Sequence, residues 1–203
     1  MGRPSDAKER LMTSAIDLIW EGSYGAVTID DICRGADVRK GSFYYFFPGK
    51  AELAVAAIER MWEIKWKPFL DKNFSADLEP LERFTGYFQA LVQNQKELFA
   101  EHGKVLGCPV ASVGTEVSVC QAAVSDAIRD VITRKKRFYE SAIRDAVAAG
   151  AIEPCDPAVK ATALFCLIDG MMGQSRMMND VSVFDNLTSM ACDLLRFKTP
   201  VTA

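Results

Sequence analysis

Thr28-Ile29-Asp30-Asp31-Ile32-Cys33-Arg34-Gly35-Ala36-Asp37-Val38-Arg39-Lys40-Gly41-Ser42-Phe43-Tyr44-Tyr45-Phe46-Phe47 decides how the rest of the chain is read. Thr28 followed three residues later by Asp31 is a variant of the capping box, which places a hydroxyl and a carboxylate where the first N–H groups of a helix lack partners. Ile29, Ile32, Cys33 and Ala36 fall on one face of the helix that follows. Asp37-Val38 then reads as a tight turn, because Asp tolerates left-handed backbone better than most residues. A second short helix, about residues 39–46, starts at once, and Pro48-Gly49 ends it. Two short helices joined by such a turn make a helix-turn-helix, here at about residues 28–47.

The second helix opens on Arg39-Lys40-Gly41-Ser42. A basic, hydroxyl-bearing first turn suits a recognition helix, whose N-terminal residues meet base edges in the major groove. Its unpaired N–H groups and dipole also favour phosphate. Gly41 lets the backbone approach DNA closely, and Phe43, Phe46 and Phe47 are positioned to anchor the helix to a three-helix core. Tyr44 and Tyr45 are neighbours and do not share a face, so one of the two is expected to lean toward the core. Alone, Arg39 and Lys40 would be a solvated charged surface; flanked by the turn and by Gly41-Ser42 they read as DNA contacts.

Extended to Pro48-Gly49-Lys50-Ala51-Glu52-Leu53, this stretch resembles the signature of the TetR family of transcriptional regulators, and the likeness covers about residues 8–55. The resemblance implies an all-α fold of about nine helices: an N-terminal three-helix helix-turn-helix domain (1–49) and a C-terminal ligand-binding and dimerisation body (50–203). It implies a homodimer on double-stranded operator DNA and a small-molecule inducer. It implies phosphate contacts from Thr28, Tyr44 and Lys50, and base or phosphate contacts from Arg39, Lys40, Ser42 and Tyr45. The chain departs from the family pattern at Asp37, where glycine is usual, at Tyr45, where histidine is common, and at Arg39, where a small polar residue is common. Those departures bear on the operator sequence, not on DNA binding.

Composition sets outer bounds. Of 203 residues, 49% are hydrophobic and 25% charged, as in an ordinary folded domain, and the net charge is −3. Residues 1–50 hold seven Lys/Arg against seven Asp/Glu, so DNA binding must come from a local patch rather than from overall charge. Arg3 is either part of a loose tail or an arm reaching the minor groove. No apolar run approaches the roughly 20 residues that span a bilayer, and Met1-Gly2-Arg3-Pro4-Ser5-Asp6 has no apolar signal core, so a cytoplasmic protein without membrane contact is expected. Six cysteines without a CxxC pair and a single histidine, His102, argue against a metal site and for free thiols. No cofactor is expected.

Beyond the motif, helical periodicity predicts helices at about 6–20, 50–73, 77–102, 117–149, 158–179 and 182–197, with an irregular stretch at 103–114. No period-2 alternation is long enough for a strand. Trp62, Trp66, Phe88, Phe165 and Met172 are candidates for a ligand pocket, although most aromatics and methionines in a bundle are plain core. Phe184, Leu187, Ala191 and Leu194 form a stripe on the last helix, expected to face a second copy of the chain. Arg134-Lys135-Lys136-Arg137 reads as a solvated face. Gly107-Cys108-Pro109-Val110 resembles a subgroup of the family in which some members sense electrophiles through cysteine, which makes Cys108 a candidate sensor; its competing reading is a packed thiol.

An enzyme is excluded by the absence of a Ser–His–acid order, a phosphate loop or a metal cluster. Two functions stay open at this point: a repressor released by a ligand or electrophile, and a DNA-bound interaction protein without an inducer.

Overall fold

The computed structural model describes residues 4–117 and 121–198, which leaves Arg3 and Cys120 outside the described residues. The elements are α1 (Pro4–Glu21), α2 (Ile29–Gly35), α3 (Lys40–Phe46), α4 (Lys50–Met61), a π-helical turn (Trp62–Trp66), α5 (Lys67–Asn73), α6 (Pro80–His102), α7 (Pro109–Val117), α8 (Ala122–Ala148), α9 (Pro157–Met178), a 3-10 turn (Val181–Phe184) and α10 (Leu187–Leu195). α4, the π turn and α5 follow one another without a loop, so the described residues hold nine helical rods. The fold is all-α; the one extended pairing among the described residues is the isolated bridge Ile152–Phe197.

Two compact units form. The first comprises residues 1–66 and 109–131. Its core is Leu11 and Ala15 of α1, Ile32 of α2, Phe43 of α3 and Leu53 of α4, each with no more than a trace of exposure. Burying side chains of that size contributes about 1.5–3 kcal/mol each. Polar ties then set the angles between helices. Ser14 Oγ donates to the Ile32 carbonyl at 3.1 Å, and Arg60 Nε donates to Glu9 Oε2 at 2.8 Å, joining α4 to α1.

The second unit comprises residues 67–108 and 132–203. An aromatic cluster of Phe74, Phe84, Tyr87 and Tyr139 lies at its centre. The Arg83 guanidinium is buried but fully engaged. It donates to Asp145 Oδ2 at 2.6 Å and to the carbonyls of Leu78 and Ala76 at 2.8 and 3.0 Å, as a buried charge requires.

Three expectations are corrected. The stretch 103–114 is not irregular throughout, since α7 starts at Pro109, a proline whose fixed φ and missing N–H suit a first helical turn. The helix over 50–73 is not regular: Pro68 has no N–H for the carbonyl four residues back and its ring crowds that carbonyl, and the π turn at Trp62–Trp66 lies just before it. The last helix is split into the 3-10 turn and α10, with Asp180 capping the former by accepting the Ser182 N–H at 2.8 Å. The split turns Phe184, Leu187 and Ala191 into the chain's own core with no exposed surface, so they are not the stripe that meets a second copy; Leu194 is half-buried. The apolar residues that α9 and α10 do present outward are Val159, Met177, Met178 and Met190.

Candidate nucleic-acid interface

The capping box at Thr28 is complete. Thr28 Oγ1 accepts the Asp31 N–H at 3.1 Å, and an Asp31 carboxylate oxygen accepts the Thr28 N–H at 3.1 Å. The Thr28 hydroxyl also donates to Asp31 Oδ2 at 2.6 Å. These bonds hold the Asp31 carboxyl below its ordinary range, the hydroxyl of Thr28 being the largest cause. The turn after α2 has Asp37 at φ +50°, in the left-handed region, and the Asp37 carbonyl accepts from Arg10 Nη1 at 3.3 Å. A non-glycine residue is therefore accommodated where the backbone demands that conformation.

α3 is short and lacks a side-chain cap, with Arg39 in the N-cap position. Tertiary burial of its inner face sustains it instead. Phe43 and Phe47 fill that face, and both tyrosines stand outside it, Tyr44 at 53% and Tyr45 at 79% of full exposure. The expectation that one would lean inward is overturned: Phe43 and Phe47, four residues apart, take the inner face and both tyrosines fall outside it. Each tyrosine instead rests edge-on against a neighbour, Tyr44 on Phe43 and Tyr45 on Phe46. Arg39, Lys40 and Gly41 are exposed and Ser42 is half-buried. A Cβ placed on Gly41 would meet no atom within 4 Å, so the glycine opens outward onto free space. Lys40 is paired with Asp30 of α2 at 2.9 Å, which raises its pKa. Such an exposed pair is worth little in water and is readily exchanged for a phosphate or a base.

Lys50 behaves differently. It is half-buried at the start of α4, and its ammonium donates to the carbonyls of Tyr24 and Val27 at 2.7 and 2.9 Å. It also lies 4.4 Å from the centre of the Tyr24 ring. Burial pushes its pKa down while Glu116 pulls it up. Glu116 of α7 accepts the N–H groups of Tyr24 at 2.8 Å and Gly25 at 2.5 Å. The turn between α1 and α2 is thus gripped through its carbonyls by Lys50 and through its N–H groups by Glu116. Nothing in the sequence pattern marked Glu116, since a lone carboxylate on a short helix carries no spacing signal.

The two tryptophans among the pocket candidates, Trp62 and Trp66, belong to the first unit. There Trp66, Ala15, Ile19, Trp20, Ala57 and Val113 line an apolar cleft of about 40 Å³. Phe88 and Met172, both buried, and Phe165, half-buried, belong to the second unit. Cys108 is half-buried and ends a segment fastened to α9: Arg176 Nη1 donates to the Leu106 carbonyl at 2.8 Å, and the Val105 N–H donates to Asn179 Oδ1 at 2.9 Å. Gly107 has φ +67°, and a Cβ there would press against the Met172 carbonyl at 3.2 Å, so this position requires glycine. Cys108 is within electrostatic reach of two buried phenols, Tyr87 and Tyr139, whose hydroxyls share a hydrogen bond of 2.5 Å. Burial drives both phenols well above their ordinary pKa. Among the described residues no group of His, Cys, Asp and Glu is arranged to hold a metal ion, and no helix is long and apolar enough to cross a membrane.

Comparison with known proteins identifies the family. Residues 11–57 match the model for bacterial regulatory proteins of the tetR family, and residues 80–191 match the tetracyclin repressor-like C-terminal domain. The chain belongs to the TetR family. The transcriptional regulator AcuR of Cereibacter sphaeroides is 30% identical over 156 residues, which cover 73% of this chain and 69% of AcuR. The HTH-type transcriptional repressor NemR of Escherichia coli K12 is 24% identical over 186 residues, 89% of each chain. Among solved structures, a TetR regulatory protein of Rhodobacter sphaeroides superposes with a TM-score of 0.82 at 26% identity over 93% of this chain and 98% of that one. The reduced form of Escherichia coli NemR shares the fold with a TM-score of 0.84 at 21% identity, covering 97% of this chain and all of that one. As a TetR-family member the chain is a transcriptional regulator with a helix-turn-helix for DNA, and not an enzyme.

Proposed function

We propose that this regulator is a repressor that binds a near-palindromic operator as a cytoplasmic homodimer and leaves it in response to a small ligand or an electrophile. The observation that carries the reading is the outward face of α3. Arg39, Lys40, Gly41, Tyr44 and Tyr45 are all exposed on a helix whose opposite side is fully buried through Phe43. Two exposed aromatic rings beside two cations have no use in a monomer core and suit a DNA groove. In this reading Arg39, Lys40, Ser42 and Tyr45 approach bases or adjacent phosphates, while Thr28, Tyr44 and Lys50 serve the flanking backbone. Lys50 and Thr28 do so from bonds they already make, Lys50 to carbonyls and Thr28 to Asp31. A two-fold dimer sets two such helices about 34–36 Å apart, one turn of DNA. Val159, Met177, Met178 and Met190 supply exposed apolar surface for the second copy.

The signal is assigned to the Cys108 segment. Cys108 is half-buried within electrostatic reach of a buried phenol pair, and the segment is pinned to α9 by two hydrogen bonds. Adduct formation or oxidation at the thiol would strain those ties. The name of the NemR relative as a repressor supports the direction of control. A protection footprint on the DNA upstream of its own gene, repeated after treating wild type and Cys108→Ser with a quinone, tests the whole reading. A palindromic footprint lost only in treated wild type and restored by a thiol is the expected result. Equal release of both proteins would make Cys108 structural, and no footprint would overturn the repressor assignment.

A further inference from the structure

The turn between α1 and α2 carries the chain from α1 into the helix-turn-helix, and it ends on Thr28, the cap of α2. Its N–H groups at Tyr24 and Gly25 both point at one carboxylate, Glu116, near the C-terminal end of α7. Its carbonyls at Tyr24 and Val27 are held by Lys50. A carboxylate accepting two backbone N–H groups makes the stronger, charge-assisted kind of hydrogen bond, which also imposes direction. The apolar inner face of α7, Val110, Val113 and Val117, is buried, so the helix that carries the carboxylate is itself fixed. α7 begins at Pro109, the residue after Cys108.

We infer that Glu116 is the positioning residue through which α7 sets the DNA-reading helices, so that a shift of α7 changes operator affinity without touching DNA. The inference rests on DNA binding by α3 and not on any chemistry at Cys108. A displacement of α7 by a fraction of an ångström stretches both bonds to the turn and frees Thr28 and Lys50 to move with it. Glu116 is itself exposed, and unfolding measured beside affinity separates its role in binding from a role in stability.

Gly25 provides the means of separation. A Cβ at Gly25 would stand 2.7 Å from Glu116 Oε1, too close to coexist, yet it meets only the far end of a flexible side chain and no left-handed φ is required there. Gly25→Ala should therefore dislodge the carboxylate while leaving the fold intact. The experiment uses the full-length protein and a duplex selected by wild type from a random pool. Operator dissociation constants are measured at several salt concentrations, and thermal unfolding is followed by circular dichroism. Glu116→Ala and Gly25→Ala should each weaken binding about tenfold, within the usual range of coupling between sites. The double variant should be no weaker than either single, because both remove the same contact. The salt dependence should become shallower than that of wild type, since Thr28 and Lys50, which serve the DNA backbone in this reading, shift with the turn. Wild-type affinity in either single variant, losses that multiply in the double variant, or an unchanged salt slope would each overturn the inference. Failure of wild type to select any duplex would overturn the repressor reading and this inference with it.

Discussion

α3 and α10 are the two short helices richest in large apolar side chains, and they use them in opposite ways. α3 carries four aromatic rings in seven residues and leaves two of them in water, Tyr44 and Tyr45. α10 and the 3-10 turn before it place Phe184, Leu187, Ala191 and Leu195 wholly inside. Each inner stripe is what holds its helix in place, because helices of seven to nine residues are marginal on their own. The difference lies in what the other face does. On α3 it is basic and aromatic, the face proposed for DNA; on α10 it is mixed, with Ser189 and Asp193 exposed around a single large apolar side chain, Met190. Exposed aromatic rings on a helix already anchored by others mark a binding face, whereas a long apolar stripe marks the core.

The largest test of this contrast is Phe184→Ala. Removing a fully buried ring should cost about 3–5 kcal/mol in urea unfolding, and with it operator binding at elevated temperature. Stability close to wild type, with a shift from dimer to monomer in sedimentation, would return Phe184 to the surface and erase the comparison.

Tyr45→Ala attacks the other side. Stability should stay within about 0.5 kcal/mol of wild type, while operator affinity should fall by about 1–3 kcal/mol, the scale of one lost base contact. Lys40→Ala should behave alike, because its partner Asp30 is exposed and exchangeable. A filter-binding titration beside an unfolding curve separates the two quantities. An unfolding midpoint lowered in step with affinity would show that the tyrosine supports the fold instead.

A smaller effect is expected from the cap of α2. Thr28→Ala should cost about 1 kcal/mol of stability, the usual worth of an N-cap side chain.

The smallest effect lies in acid. The Asp31 carboxyl titrates below its ordinary range in the folded chain. Its contribution is therefore complete above the unfolded value near 4 and is lost as pH falls through the lower folded one. Asp31→Asn should lower stability at neutral pH and change it least in strong acid, which flattens the acid limb of the stability curve. An unchanged acid limb would remove Asp31 from the cap.

Much of this was legible along the chain because it is local. The capping box at Thr28 and Asp31, the left-handed Asp37 and the basic opening of α3 depend on residues within four positions of one another. Backbone preference and hydrogen-bond reach act at that distance, so the motif was readable with its residue numbers and the family resemblance followed from it. Helical periodicity likewise marked most helices. It failed where one residue changes the hydrogen-bond ladder, as Pro68 does beside the π turn, and where a helix is too short for a pattern, as α7 is.

What the sequence by itself determined is the reading head: which residues form α2 and α3 and where they start, though not that both Tyr44 and Tyr45 stand on the outer face. Only the tertiary structure decided which surface each stripe meets. Periodicity reports that Phe184, Leu187 and Ala191 share a face, but a core and an interface both exclude water and demand the same residues. The same holds for single polar groups. Lys50 turns inward to Tyr24 and Val27, and Glu116 reaches a turn 91 positions away in sequence. Contacts at that separation depend on how the helices pack, and no local propensity records them.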